Sequence, residues 1–273
     1  MKMVAAVKFR RAQENILSAR PYARKIDEII KNLIPTLENV ENDLLEERKI
    51  EKICIVVVTA DRGFAGSFNT NLIKDAENII KNKYKDYYES NNLLLITIGK
   101  KGYDYFSKKE HNIYSKYIGI FDKVEFIYAR NIVSEILTGY RKNGFDKVII
   151  IYNEFKSVMQ SRIIEEQFMP IISFEPEEPA AAIKPFNYIY EPAPVELIDY
   201  LLPRHLNTQI WRILLESYTS EQAARMTAME TATTNANDLV NSLQLFYNQA
   251  RQASITKEIL EVVGGAEALR ESS

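Results

Sequence analysis

Cysteine is almost missing from this chain. Cys54 stands alone, which excludes an internal disulfide and a cysteine-based zinc site. Its setting, Ile53-Cys54-Ile55-Val56-Val57-Val58, reads as a buried structural thiol, not a nucleophile. Histidine is nearly as scarce. His111 and His205 are isolated, and neither has a Cys or His at ligand spacing, so no metal site is expected. No Ser-His-Asp or Cys-His arrangement suggests itself. Neither the G-x-G-x-x-G fingerprint nor the Walker Lys-Ser/Thr occurs, so no cofactor is expected. No apolar run approaches membrane-span length. No small-residue cleavage site follows an apolar core at the front. These absences set the expectation of a cytosolic protein, or one bound to a membrane only through partners. The net charge of -2 gives no global sign of a nucleic-acid binder. What remains is an ordinary globular composition, 46% hydrophobic and 26% charged, long enough for one large domain or two small ones.

Against these absences stand two heptad patterns, one at each end. At the front, Phe9, Ala12, Ile16, Ala19, Ala23, Ile26, Ile30, Leu33, Leu37, Val40 and Leu44 alternate in steps of three and four. At the back, Met229, Ala232, Ala236, Leu239, Leu243, Phe246, Ala250 and Ala253 do the same. A repeat of 3.5 residues lays an apolar seam along a helix and requires a second helix to cover it. The nearest partner for each seam is the other. Pro21 and Pro35 interrupt the front helix without breaking its phase, so curvature or a kink is expected there. The front pattern starts with no cap before Met3-Val4-Ala5-Ala6-Val7, so further helix is expected ahead of it. Charge is uneven: between Lys2 and Lys31 basic residues dominate, and between Glu38 and Glu51 acidic ones do. The basic face is either solvated or set against an acidic protein surface.

The middle alternates strand-like and helix-like segments. Strands are predicted at Ile53–Thr59, Leu93–Ile98, Ile113–Ile118 and Lys147–Tyr152. Helices are predicted from about Thr70 to Tyr88, over Lys101–Lys109 and over Val124–Lys142, the last ended by Asn143-Gly144. This alternation implies βαβ units and a mostly parallel, Rossmann-like sheet. Met159–Met169 could add an antiparallel strand. Phe174–Pro203 is proline-rich and reads as an exposed connection. The divisions expected are a helical segment 1–50, an α/β domain 51–203 and a helical segment 204–273. After Pro203 neither proline nor glycine recurs until Gly264. A helix over that stretch would run roughly 90 Å at 1.5 Å per residue, too long for the α/β domain to absorb. The phase of Met229 extends back to Trp211, Leu215 and Tyr218 and forward to Leu260. Gln222, Arg225 and Lys257 break it, as polar seam residues that fix register or meet another partner.

The loop Asp61-Arg62-Gly63-Phe64-Ala65-Gly66-Ser67-Phe68-Asn69 follows a strand and precedes a helix, the place of phosphate-binding loops. Without their motifs it reads as a tight turn. Gly99-Lys100-Lys101-Gly102 is a weaker case. The stretch Ala223–Ala236 is rich in Ala and Thr, which suits close packing and also a slim shaft passing near other proteins.

The tail is the most specific stretch. Tyr247-Asn248-Gln249-Ala250-Arg251-Gln252-Ala253-Ser254-Ile255-Thr256-Lys257-Glu258-Ile259-Leu260-Glu261-Val262-Val263-Gly264-Gly265-Ala266 resembles the C-terminal signature of the F-type ATP synthase γ subunits. Lys2-Met3-Val4-Ala5-Ala6 with Arg11-Ala12-Gln13 resembles that family's N-terminal helix. Ala60-Asp61-Arg62-Gly63 with Gly66 and Asn69 resembles its first strand-to-loop motif. Tyr190-Glu191-Pro192, Leu201-Leu202 and Ser220-Glu221-Gln222-Ala223-Ala224-Arg225-Met226 match the approach to its long helix. The resemblance covers nearly the whole chain in the family's order. There are departures. The family carries further helix ahead of the Lys2-Met3-Val4 block and more often has Leu-Cys where Phe64-Ala65 stands. The cysteine-bearing insert of the chloroplast form is missing, so thiol control is not expected.

The resemblance implies an α/β protein with a long antiparallel two-helix coiled coil from its termini. It implies the rotary central shaft of the enzyme, itself without catalysis, inside a hexamer of α and β subunits. The foot would meet the ε subunit and the c-ring, on the cytoplasmic face of a bacterial plasma membrane. By resemblance, Met1, Arg251, Gln252, Thr256, Glu258 and Glu261 would contact the β subunit, and Tyr190 and Glu191 would lie near the c-ring. Phe9, Ile16, Ile26, Leu33, Leu239, Leu243 and Phe246 form the shaft seam. Two alternatives stay open from the residues: a nucleotide-binding α/β protein with helical arms, and a coiled-coil scaffold.

Overall fold

The β-branched run Ile53–Val58 forms strand β1, and all six of its residues are buried. A strand that reads as one apolar run must be covered on both faces, and the computed structural model, which describes residues 2–33, 42–46, 48–158, 160–171 and 191–271, supplies both covers. The elements in order are α1 (Lys2–Leu33), β1, α2 (Phe68–Asn78), α3 (Lys85–Glu89), β2 (Leu93–Ile98), α4 (Lys100–Lys108), β3 (Ile113–Tyr117), α5 (Phe126–Arg141), β4 (Lys147–Phe155), β5 (Ser161–Met169) and α6 (Pro194–Glu271). The sheet order is β3-β2-β1-β4-β5. β1 runs parallel to β2 and β4, β2 is parallel to β3, and β5 is antiparallel to β4. The strands expected from sequence are all present. The single helix expected from Thr70 to Tyr88 is instead divided by a π-helical turn at Ile79–Lys83.

The chain divides into two units, Met1–Thr227 and Ala228–Ser273. In the first, alternate side chains of the sheet feed two cores. Cys54, Val56, Val58, Ile96, Val148 and Ile150 pack with Ile26, Ile30 and Leu33 of α1, with Ile132 and Ile136 of α5, and with Ile198, Leu202 and Leu206 of α6. On the other face Ile55, Val57, Leu95 and Ile151 pack with Leu72 and Ala76 of α2 and Phe106 of α4. Two glycines permit close approach. At Gly99, which has φ +93°, an added Cβ would sit 2.1 Å from the Thr59 carbonyl oxygen. In α5, a Cβ at Gly139 would sit 2.5 Å from the Phe145 ring.

The front seam is buried: Phe9, Ala12, Ile16, Ile26, Ile30, Leu33 and Leu44 all lie in the core. Leu37, Val40 and Pro35 are outside the described residues. Helix α1 passes Pro21 without interruption. What covers the seam corrects the expectation. Ile16, Ala19 and Ala23 face Thr208, Arg212 and Leu215, and Phe9 meets Phe155 edge-on at 5.6 Å. The charge of Lys8 acts on Glu221 and that of Arg20 on Glu216, while the Asn42 amide donates to Asp199 at 2.8 Å. Along α6 the partner numbers fall as those of α1 and of Asn42 beyond it rise, so the pairing with α6 is antiparallel. It uses the early part of α6, not the Met229–Ala253 seam. The reason is that Trp211, Leu215 and Tyr218 continue the same heptad phase: Trp211 and Tyr218 pack against the sheet core, and Leu215 is buried facing α1.

Helix α6 also starts earlier than expected. It begins at Pro194 and contains Pro203, so the last ten residues of the expected connection are helical; residues 174–190 of that connection are outside the described residues. Proline at the first helical position loses no hydrogen bond. Pro203 in the interior costs about 3 kcal/mol. Ile198, Leu202 and Leu206 are fully buried around it, and each contributes about 1.5–3 kcal/mol, so packing outweighs the proline.

The second unit, as far as it is described, is the remainder of α6. Its residues from Glu230 to Glu267 are all exposed. Hydroxyls of Thr233, Ser242 and Thr256 donate to carbonyls four residues back at 2.7–2.9 Å, so these polar groups are satisfied within the helix.

Candidate functional site

In an open α/β sheet, ligands bind beyond the carboxyl ends of the strands where strand order reverses. Here that point lies between β1 and β4, and α6 reaches both: Ser220 to Asn153 of β4 and Ala224 to the loop after β1. The loop after β1 turns Asp61 toward the segments that follow β2 and β3. Its carboxylate accepts N–H bonds from Lys100 (2.9 Å), Gly119 (3.0 Å) and Phe121 (3.2 Å). Those are amides of the kind that cradle a phosphate elsewhere, and here an internal anion takes them. Asn69 accepts from the Ala60 N–H at 2.9 Å, and Arg62 pairs with Asp122 at 2.6 Å. Ala60, Ala65 and Phe68 pack against Ala224 of α6. Arg225 donates to the Gly63 carbonyl at 3.2 Å and pairs with Glu221 at 2.6 Å. The Ser220 hydroxyl donates to the Asn153 carbonyl at the end of β4, at 3.4 Å. The loop motif therefore anchors α6, and the tight-turn reading is the one that fits. Gln222 and Arg225, expected to fix register or to meet another partner, are engaged within the chain: Gln222 and Glu221 are buried, Gln222 donates to Glu221 at 3.3 Å, and Arg225 is half-buried. A buried polar side chain needs a partner; for Arg225 it is Glu221 and the Gly63 carbonyl, distant in sequence, and for Gln222 it is Glu221. Burial raises the pKa of Glu221, with Arg225 opposing.

A second polar knot fixes α6 to β4 and β5. Arg212 donates to both oxygens of Glu166 (2.8 and 3.0 Å) and to the Tyr152 hydroxyl (3.2 Å). Tyr152 and Gln209 also donate to Glu166, at 2.8 and 2.7 Å. Both bonds to Glu166 leave one guanidinium nitrogen, Nη2, while Nη1 serves Tyr152; such charge-assisted bonds are stronger than neutral ones. Glu216 lies 3.6 Å from Arg212; burial raises its pKa, with Arg212 opposing. Sequence reasoning missed this knot. The spacing of Arg212 and Glu216 was a visible signal, but Glu166 lies on a strand 46 residues away.

The signature residues of the tail, Arg251, Gln252, Thr256, Glu258 and Glu261, are all exposed. Thr256 donates to the Gln252 carbonyl at 2.9 Å, and Lys257 lies 3.8 Å from Glu261. Leu239, Leu243 and Phe246 keep 60%, 56% and 67% of their surface in water, whereas Phe9, Ile16, Ile26 and Leu33 are buried. The two halves of the expected seam thus have opposite environments. Glu191 is exposed; Met1 and Tyr190 lie outside the described residues. Among the described residues, no cluster of three or more His, Cys, Asp or Glu could hold a metal ion, and no helix is long and apolar enough to cross a membrane.

A protein-family model described as ATP synthase matches residues 1–269. The ATP synthase gamma chain of Chlorobium phaeobacteroides is 45% identical over 273 residues, covering 99% of this chain and 92% of its own. The gamma chain of Chloroherpeton thalassium is 44% identical over 281 residues, covering 100% and 92%. Among solved structures, a chain of the Tetrahymena thermophila mitochondrial ATP synthase central stalk and c-ring aligns with TM-score 0.62 at 23% identity, over 85% of this chain and 97% of its own. A chain of the Euglena gracilis mitochondrial ATP synthase aligns with TM-score 0.61 at 17% identity, over 97% and 95%. These structures share the fold: a mixed sheet with an N-terminal helix and a long C-terminal one. With a family match over almost its whole length and relatives near 45% identity, the chain belongs to the gamma-chain family of F-type ATP synthases.

Proposed function

We propose that this chain is the rotary central shaft of an F1Fo ATP synthase, coupling ion flow through the membrane sector to ATP synthesis or hydrolysis at the β subunits. One observation carries the mechanism: residues 230–267 form unbroken helix whose heptad side chains, Leu239, Leu243 and Phe246, are exposed together with the whole tail signature. An apolar stripe of that length is a surface for enclosure by partners. The α and β subunits, as an α3β3 hexamer, are the proposed enclosure, with Arg251, Gln252, Thr256, Glu258 and Glu261 as polar handles toward β and Met1 as a further proposed contact with β. The ε subunit and the c-ring are the proposed partners at the foot, where Tyr190 and Glu191 belong. The chain itself does no chemistry in this reading, and its crevice is held by Asp61 and Arg225. The assembly would sit on the cytoplasmic face of the bacterial plasma membrane, the chain having no insertion of its own.

Co-expression with α and β subunits tests the reading. The expected product holds one copy of this chain per α3β3, with ion-coupled ATPase activity only when the chain is present. A chain that fails to co-purify, or that turns over ATP alone, overturns it.

A further inference from the structure

We propose that a cleft between α1, α5 and α6 binds a small phosphate-bearing anion. The cleft has a volume of about 470 Å³ and is lined by Tyr22, Phe126, Arg130, Arg204, Asn207 and Thr208. That is within the range of small-molecule sites, roughly 300–1,000 Å³. Its lining carries two guanidiniums and no carboxylate. Among the described residues, neither Arg130 nor Arg204 has an acidic partner, while nearby exposed cations such as Lys25 and Lys123 do. Arg204 is nonetheless positioned: its guanidinium lies over the Tyr200 ring at 4.2 Å, which fixes the group without neutralising it. The Asn207 amide and the Tyr22 hydroxyl have no hydrogen-bond partner among the described residues and add neutral donors. Thr208 is held by its bond to the Arg204 carbonyl at 2.8 Å. Phe126 makes one wall and is set edge-on against Trp211 at 5.8 Å.

A lining rich in donors and positive charge selects an anion. Two planar guanidiniums suit the several oxygens of a phosphoryl group, to which arginine donates in pairs. The half-exposed aromatic wall offers a face to a planar group attached to the phosphate. An acidic protein segment is the lesser fit, because the cleft is concave and of small-molecule size rather than a flat surface. The proposal is independent of the shaft reading, since it concerns one face of the first unit.

Isothermal titration calorimetry of the full chain with tripolyphosphate and with ATP tests it, alongside R130Q, R204Q and N207A, whose folding is checked by circular dichroism. Saturable binding of one anion per chain is expected, weakened by about tenfold or more in R130Q and in R204Q, and falling with added salt. Tighter binding of ATP than of tripolyphosphate would identify the wall as a base platform; equal binding would limit recognition to the phosphates. No saturable heat at millimolar ligand overturns the proposal. So does binding that all three variants leave unchanged, or a cleft that takes polyglutamate while ignoring tripolyphosphate.

Discussion

Arg212 shows how much one side chain settles in this fold. It is the shared donor for Glu166 and Tyr152 and lies beside Glu216. Arg212→Ala leaves two carboxylates facing each other with little water. The expected loss is about 2–4 kcal/mol in a denaturant titration, below the full value for a wholly buried pair because both side chains keep about a quarter of their surface exposed. An unchanged midpoint would show that the knot adds nothing. Gly99 is decisive for a different reason: it combines φ +93° with backbone 2.1 Å from any Cβ, so Gly99→Ala should cost about 3 kcal/mol or more in the same assay. His111 makes stability pH-dependent. Burial lowers its pKa below 6.5; Glu77 opposes this, and Lys81 and Lys109 add to it. Its imidazole packs on Tyr88 and Phe106. The unfolded chain takes that proton near pH 6.5 and the folded chain resists, so stability is complete above that pH and declines as pH falls through it. His111→Gln should flatten the stability profile between about pH 7 and 5. Glu77 adds its own loss only at lower pH. Burial would raise its pKa, but bonds from Lys109, Tyr105 and Lys81 outweigh burial and hold it at about 2. That contribution is complete above pH 4.5 and disappears as pH falls toward 2.

At the scale of elements, the two heptads make contrasting predictions. Ile30 is fully buried against the sheet, and Ile30→Ala should destabilise the isolated chain by about 3 kcal/mol. Leu243 is 56% exposed, so Leu243→Asp should change isolated stability by about 1 kcal/mol or less while abolishing assembly with α and β subunits. Normal assembly of Leu243→Asp would mean that the exposed stripe is not the enclosed surface. The strands and most helices were legible because their signals are local: β-branched runs and glycine stops. The bounds of β2 were read to the residue. The partner of the front seam was not legible, because the heptad phase runs on from Trp211 to Leu260 and periodicity does not say which stretch is used. The start of α6 was misplaced because two prolines look like a connection until the buried Ile198, Leu202 and Leu206 are counted. The position of the Asp61 loop was legible, but its role was not. Backbone N–H groups of Lys100, Gly119 and Phe121 leave no trace in a sequence.

For the molecule as a whole, the division at Thr227 separates a part with two cores from a helix with none. A chain truncated after Thr227 should therefore unfold with nearly the same midpoint as the full chain, followed by near-ultraviolet circular dichroism. It should also fail to restore coupled ATPase activity when mixed with α and β subunits. A large fall in midpoint would show that residues past 227 stabilise the body. The exposed stripe from Leu239 to Val263 also bears on how cells keep this protein. A single chain synthesised ahead of its partners displays Leu239, Leu243, Phe246, Ile259, Leu260 and Val262 to proteases and to other copies of itself. Under the proposed function, its standing abundance follows the supply of α and β subunits. Overproduced alone it should turn over quickly or aggregate, and a matched supply of α and β should lengthen its lifetime several-fold without any change in its own thermodynamic stability.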